Sequence, residues 1–210
     1  VLRQALVSAE DAAFFDHFGF NLRRMAITAV QNVLRWRLRG ASTLTMQLAR
    51  QVSLGGAAPL GLEKVPSRKF QEALLTIQIE KRYTKREILT LYCNQMYLGS
   101  GAYGVEAASR AYLEKSARDL TLSESAMLAG IIRAPNAFSP FEDEDGTKLE
   151  RNSTLDSMVK HEFITEAEAT GAKAEPLHIR PRNRRIIEGS YAMDAIRRDI
   201  ERHLDRKYIK

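Results

Sequence analysis

The chain has 210 residues, enough for one sizeable core but not comfortably for two full domains. Its 32 lysines and arginines against 26 acidic residues give a formal net charge of +6, which favours an anionic partner surface: phosphate groups, nucleic acid or lipid headgroups. A single cysteine, Cys93, excludes an internal disulfide and any multi-cysteine metal site, and no run of about eighteen apolar residues is present that could span a bilayer.

Leu2, Ala5, Leu6, Ala9 and Ala13 recur at helical spacing and predict a first helix over residues 2–15. Glu10 and Asp11 stand toward its far end, where the helix dipole favours cations. A local conflict of this kind is expected at functional sites, so Glu10 is a candidate for chemistry, with a solvated Glu-Asp pair as the plain alternative. His17, two residues before Gly19, reads more readily as a capping or packing histidine than as a ligand. Asn21 can cap the next helix, whose apolar stripe is Leu22, Met25, Ala29, Val33 and Trp36, with Arg23, Arg24, Arg35, Arg37 and Arg39 around it. Such a helix is either core, the commoner case, or lies at a membrane interface. Gly40 ends it.

Residues 40–50 are rich in hydroxyls and amides and close on Arg50. They could bind an anion or sugar hydroxyls, or simply start a helix. Residues 54–61 form a loop by composition, a connector or a lid. In Pro66–Glu80, Ser67 is the expected N-cap, and Phe70, Ala73, Leu74 and Ile77 form the expected buried stripe. Arg68, Lys69 and Glu72 fall together beside that stripe near the positive end of the helix. A carboxylate flanked by two cations suits a phosphate site, and equally an ordinary Arg68–Glu72 surface salt bridge.

Thr84 and Glu87 make a capping box for a helix predicted to reach Leu98. Residues 94–104 mix an amide, two tyrosines and three glycines, a possible polar wall for a cleft. Val105, Ala108 and Tyr112 begin another helix, and Thr121 with Glu124 caps one that Pro135 stops. Helix is predicted over 151–159 and after the Thr165–Glu168 cap, then a basic irregular stretch over 171–185, then an amphipathic helix through Met193, Ile196, Ile200 and Leu204. No convincing strand alternation occurs in the first 170 residues, so the expected class is all-α.

Taken in order, residues 4–170 resemble the peptidoglycan glycosyltransferase domain of bacterial class A penicillin-binding proteins and monofunctional transglycosylases. Glu10-Asp11-x-x-Phe14-x-x-His17-x-Gly19 looks like the first motif and Gly40-Ala41-Ser42-Thr43-Leu44-Thr45-Met46-Gln47 like the second. Arg68-Lys69-x-x-Glu72 with Ala73 and Glu80 looks like the third, and Ile88-Leu89-x-x-Tyr92-Cys93-Asn94-x-x-Tyr97-Leu98-Gly99 followed by Gly104-Val105-Glu106 like the fourth. Three departures stand out. Met46 replaces the first of two usual glutamines. Cys93 replaces an apolar residue and reads as a small buried hydrophobe. The fifth motif, normally Arg-Arg-Asn followed by Val-Leu, is Glu150-Arg151-Asn152-x-Thr154-Leu155.

The resemblance implies a lysozyme-like helical domain over residues 1–172, with 173–210 beginning a linker toward a transpeptidase domain. It implies polymerisation of lipid II into β-1,4-linked glycan with inversion and release of undecaprenyl diphosphate. Glu10 would be the base, while Arg50, Arg68 and Lys69 would meet the diphosphate. Glu72 would hold a divalent ion such as Mg2+ or Mn2+ there, or orient the cations. Asp11 would orient Glu10 or a cation; Ser42, Thr43, Thr45, Gln47 and Asn94 would bind sugar or phosphate oxygens; His17 and Arg151 would complete the substrate-binding set. The membrane surface would be met by residues 22–38, and the parent protein would carry a transmembrane anchor and a transpeptidase domain, with its catalytic part on the outer face of the bacterial cytoplasmic membrane. A lysozyme-like muramidase shares the fold class and the catalytic glutamate but needs no diphosphate-binding cations, so Arg68 and Lys69 beside Glu72 argue against it. A non-enzymatic basic helical module explains the charge alone, and the sequence has no recognised nucleic-acid-binding signature.

Overall fold

The computed structural model describes residues 1–35, 41–53 and 65–181. Within them the order is α1 (Leu2–Glu10), α2 (Leu22–Arg35), α3 (Leu44–Ser53), α4 (Val65–Arg82), α5 (Lys85–Gln95), α6 (Val105–Leu113), a 3-10 turn (Ala117–Asp119), α7 (Leu122–Ile131), α8 (Glu144–Lys160) and α9 (Glu166–Ala174). The described residues contain no strand, only an isolated bridge between Tyr97 and Tyr103. The class is all-α, as the periodicity predicts.

Local chemistry sets most helix starts. Thr84, Thr121 and Thr165 each accept from a backbone N–H three residues on, while Glu87, Glu124 and Glu168 reach back to the cap, so all three predicted capping boxes form. Asp143 caps α8 well ahead of the predicted start at residue 151. α5 stops at Gln95, short of Leu98, because Gly99, Ser100 and Gly101 take positive φ and fold the chain back until Leu98 N–H bonds Ala102 O. At Gly99 a Cβ would also meet Pro135 O at 2.4 Å.

The core is centred on α7, every residue of which from Ser123 to Ile131 is buried. A helix covered on all sides belongs at the middle of a bundle. α1 lies against α7 and α8 through Ala5, Leu6 and Val7, α8 packs on α9, and α3 packs on α4 and α5. The end of α1 therefore lies where the α7–α8 layer and α3 both reach it.

Two predicted stripes are corrected. In α4 the buried positions are Glu72, Thr76 and Ile79, whereas Phe70, Leu74 and Ile77 are 65%, 46% and 40% exposed. The helix also begins at Val65, not after Ser67, since a proline fits a first helical turn. The polar residues are buried because they are satisfied: Thr76 Oγ1 donates to Glu72 O, and the Glu72 carboxylate meets two cations. In α2 the commoner, core reading fails over the described part of its stripe: Leu22 and Ala29 are exposed and Met25 is only half-buried, with Ile27 and Val30 exposed beside them, while the side chains of Val33 and Trp36 lie outside the described residues. Phe15 and Phe18, just before α2, are exposed as well.

The boundary expected at residue 172 falls inside α9. Leu177 is buried, Arg180 N–H bonds Tyr112 O and the Arg180 guanidinium pairs with Glu114, so the chain stays attached to the body at least that far. Trp36, the 54–61 loop and the helix expected through Met193 lie outside the described residues.

Candidate active site

The C-terminus of α1 presents Glu10, and the next residue fixes that end. Asp11 is buried; both its oxygens meet His17 Nε2, at 3.1 and 2.9 Å, and Oδ2 also accepts Leu44 N–H at 3.2 Å. Gly19 N–H donates to His17 Nδ1, so Nε2 carries the proton given to Asp11. The carboxylate thus caps the positive end of α3 while clamping the turn after α1. Asp11, expected to orient Glu10 or a cation, and His17, expected in the substrate-binding set, spend these groups inside the fold, where they fix the chain just after Glu10. Arg24 Nη1 adds a bond to Glu10 O at 2.7 Å from α2.

Helix α3 then distributes its polar residues by position. Thr43 Oγ1 donates to Gly19 O at 2.6 Å and accepts Met46 N–H, an N-cap at no remaining exposure. Thr45, equally buried, donates to Glu80 Oε1, which also takes Lys85 Nζ. The expectation that Thr43 and Thr45 bind sugar or phosphate oxygens is therefore corrected: capping and helix–helix ties take up both hydroxyls. Ser42 remains half-buried just outside the helix.

Gln47 is one turn further along. Its Nε2 donates to Glu10 Oε2 at 2.7 Å, and Tyr92 OH donates to its Oε1 at 2.9 Å. The directions are forced, since a carboxylate only accepts, the amide nitrogen must face Glu10, and the amide oxygen then needs a donor. Burial, reinforced by the nearby Glu10 charge, pushes the Tyr92 phenol well above its usual range and keeps it a donor. Met46, which replaces a usual glutamine, is buried, and the Gln47–Glu10 bond forms with methionine at that position.

Arg50 follows on the same face as Gln47, about 4.5 Å along the axis. Its Nε bonds Glu72 Oε1 at 2.9 Å and Nη2 bonds Oε2 at 3.3 Å, while Lys69 Nζ reaches Oε2 at 2.9 Å. Glu72 is inaccessible because these two cations, 39% and 46% exposed, lie over it. Burial pushes its carboxyl up, but the hydrogen bonds and charges of Arg50 and Lys69 outweigh that and hold it below the usual carboxylate range. One face of α3 therefore supports two carboxylates, Glu10 through an amide and Glu72 through a guanidinium.

The remaining predicted residues fall elsewhere. Arg68 lies in the first turn of α4, and its side chain is outside the described residues. Asn94 is exposed on α5, and the structure gives it no bond to Glu10 or Glu72; its backbone packs on Gly104, where a Cβ would meet Asn94 O at 2.6 Å. Arg151 is corrected outright. Only 3% exposed, its guanidinium bonds Ser123 Oγ, Glu175 O, Lys173 O and Asn152 Oδ1, tying α8 to α7 and to the end of α9. Cys93 is buried, and burial pushes its thiol to about 11, as suits a small hydrophobe and not a nucleophile. The described residues hold no group of three potential metal-ligating side chains, and both oxygens of Glu72 are already engaged by cations. That carboxylate does not fit the expected divalent-ion ligand.

Two features of the site escaped sequence reasoning. Tyr92 stands in the fourth-motif stretch with no role assigned to its hydroxyl, although a buried tyrosine regularly finds a partner for that group. The wall formed by Arg133 and Glu150, which lines a cleft with Glu10, had no local signal.

Residues 1–159 match the model of the Transglycosylase family. The chain belongs to this family. Penicillin-binding protein 1A of Neisseria gonorrhoeae is 39% identical over 202 residues, which are 95% of this chain and 25% of that protein. Penicillin-binding protein 2D of Bacillus subtilis is 38% identical over 204 residues, covering 96% of this chain and 29% of that protein. The crystal structure of penicillin-binding protein 1A from Haemophilus influenzae aligns with a TM-score of 0.46 at 26% identity, over 77% of this chain and 20% of that one. This transglycosylase chain thus spans about a quarter of the length of its curated relatives. The matched span contains Glu10, Gln47, Arg50, Lys69 and Glu72, the whole of the two-carboxylate arrangement.

Proposed function

We propose that this transglycosylase domain polymerises lipid II, joining the anomeric carbon of a lipid-diphosphate-linked glycan to the 4-hydroxyl of an incoming lipid II. The observation that carries the proposal is the pairing on α3 of an amide-held carboxylate with a cation-covered one. A sugar hydroxyl is a weak nucleophile, and a positioned carboxylate that takes its proton contributes roughly 10²–10⁴-fold. Gln47 engages Oε2 of Glu10, and Oε1 is the oxygen assigned to the acceptor hydroxyl. As the acceptor oxygen bonds the anomeric carbon from one face, the bond from that carbon to phosphate breaks on the other, inverting the centre. The proton passes to Glu10, and the electron pair leaves on undecaprenyl diphosphate.

The departing charge needs cations held in advance. Lys69 and Arg50, half exposed above Glu72, supply them, and Arg68 is assigned to the same group from its place in the first turn of α4. Glu72 stays ionised and holds the cations in place, a role in which it need not bind metal. Any divalent ion would therefore be held chiefly by the diphosphate, where it would add further charge neutralisation.

The prenyl chain requires the site to face lipid. The exposed Leu22, Ile27 and Val30 of α2, with Phe70, Leu74 and Ile77 of α4, support an interfacial surface that extends the one expected over residues 22–38. No helix of the described residues is long and apolar enough to cross a membrane. We assign the parent protein a transmembrane anchor and a transpeptidase domain, with this domain on the outer face of the bacterial cytoplasmic membrane.

The test is incubation of the chain with lipid II in detergent, followed by gel analysis and muramidase digestion. Muramidase-sensitive glycan strands, formed with release of undecaprenyl diphosphate, are the expected products. Shortening of preformed strands, or no reaction by the folded chain, would overturn the reading.

A further inference from the structure

Glu10 opens on a second wall that the mechanism above leaves unused. α7 and α8 approach so closely at Gly130 that a Cβ there would lie 2.8 Å from the Glu150 backbone. This packing sets Arg133, just beyond α7, beside Glu150, with Arg133 Nη1 3.8 Å from Glu150 Oε2. At that distance the two form an ion pair without a hydrogen bond. The Glu150 side chain is 20% exposed and that of Arg133 62%, so the carboxylate is seated in the wall while the guanidinium reaches into the open.

Arg133, Glu150 and Ser153 line the same cleft as Ala9 and Glu10. The other hydroxyls there are spent inside the fold, Thr154 Oγ1 on Glu150 O and Ser157 Oγ on Ser8 O. Arg133 and the exposed Ser153 are thus the donors this wall offers a ligand. A guanidinium fork matches a carboxylate or a phosphate. Position narrows the choice of ligand: α1 brings Glu10 against α7 and α8, whereas the Arg50–Lys69 centre is reached through α3. A substrate with its reacting hydroxyl at Glu10 and its body directed away from the departing diphosphate would pass Arg133.

We propose that Arg133 is a specificity-determining residue that binds an anionic group of the incoming acceptor, a carboxylate of its peptide or its phosphate, with Glu150 as the residue that positions it. The proposal rests on the transferase reading above. Its test is lipid II polymerisation kinetics with Arg133→Gln and with the charge-relocating double variant Arg133→Gln/Glu150→Arg. The single variant is expected to raise KM about tenfold, the loss of one charge-assisted contact, with kcat and Tm close to the parent's. The double variant should recover most of that loss. Lipid II with amidated stem-peptide carboxylates identifies the group: if Arg133 reads the peptide, amidation raises the parent KM to that of Arg133→Gln and leaves the variant unchanged. If Arg133 reads phosphate, amidation leaves the parent unchanged and the variant keeps its defect. An Arg133→Gln enzyme with the parent's KM would overturn this inference alone, whereas a parent that forms no glycan would overturn the transferase reading beneath it.

Discussion

Glu10 and Glu72 are both held from one face of α3, but by opposite chemistry. Gln47 fixes an oxygen of Glu10 without bringing a charge, whereas Arg50 and Lys69 bring two charges to Glu72. The cations keep Glu72 below the usual carboxylate range, which makes it a poor proton acceptor and a good organiser of positive charge. The proposed reaction, which takes a proton at one place and releases an anion at another, calls for these two environments side by side. Helical periodicity supplies them from residues three apart.

The largest separation of the two roles is expected from Glu10→Gln. Glycan formation should fall about 10²–10⁴-fold with Tm unchanged, measured by initial rates beside a thermal melt. Equal losses of activity and stability would mean that Glu10 is structural. Next comes Lys69→Met, which removes from Glu72 one of its two cations among the described residues. KM for lipid II should rise about tenfold, the weight of one charge-assisted contact.

Acid stability sharpens the same contrast. Because the folded pKa of Glu72 is depressed, its contribution to stability is present above the ordinary carboxylate value near 4.5 and is lost as pH falls through the lower folded value. Acid titrations should therefore show the parent more stable than Glu72→Gln at neutral pH, by an amount limited to about 1 kcal/mol by the half-exposed partners. The two curves should converge below the folded pKa; a gap that persists at acid pH would contradict the assignment. The smallest effect on turnover is expected from Tyr92→Phe, which leaves Gln47 Oε1 without its donor: only a several-fold drop, beside a stability loss of about 1–3 kcal/mol in denaturant unfolding.

The fold was legible where its causes are local. The capping boxes at Thr84, Thr121 and Thr165 each lie within four residues, and all three form. The face of α4 was misread because apolar spacing shows which side could be buried, not which side is. Glu72 and Thr76 face inward only because α3 brings Arg50 to meet the carboxylate from 22 residues away in the chain. In the candidate site the motif order singled out Glu10, Gln47, Lys69 and Glu72, with Arg50 just past the second motif, and the structure brings these side chains into contact in two groups, but residue type could not separate a hydroxyl left free from one that caps. Thr43 and Thr45 cap and tie; Asp11 and His17 clamp; Arg151 holds α8 to its neighbours. Glu150 stands in the fifth-motif stretch, but its partner Arg133 comes from just beyond α7, a pairing that no short motif reports.

The division of labour is tested most directly by the affinity of farnesyl diphosphate, a short soluble prenyl diphosphate, for the parent, Glu10→Gln and Lys69→Met, measured by calorimetric titration. Glu10→Gln should bind like the parent, and Lys69→Met about tenfold more weakly. If instead Glu10→Gln loses affinity while Lys69→Met keeps it, the two carboxylate centres do not divide the chemistry in this way.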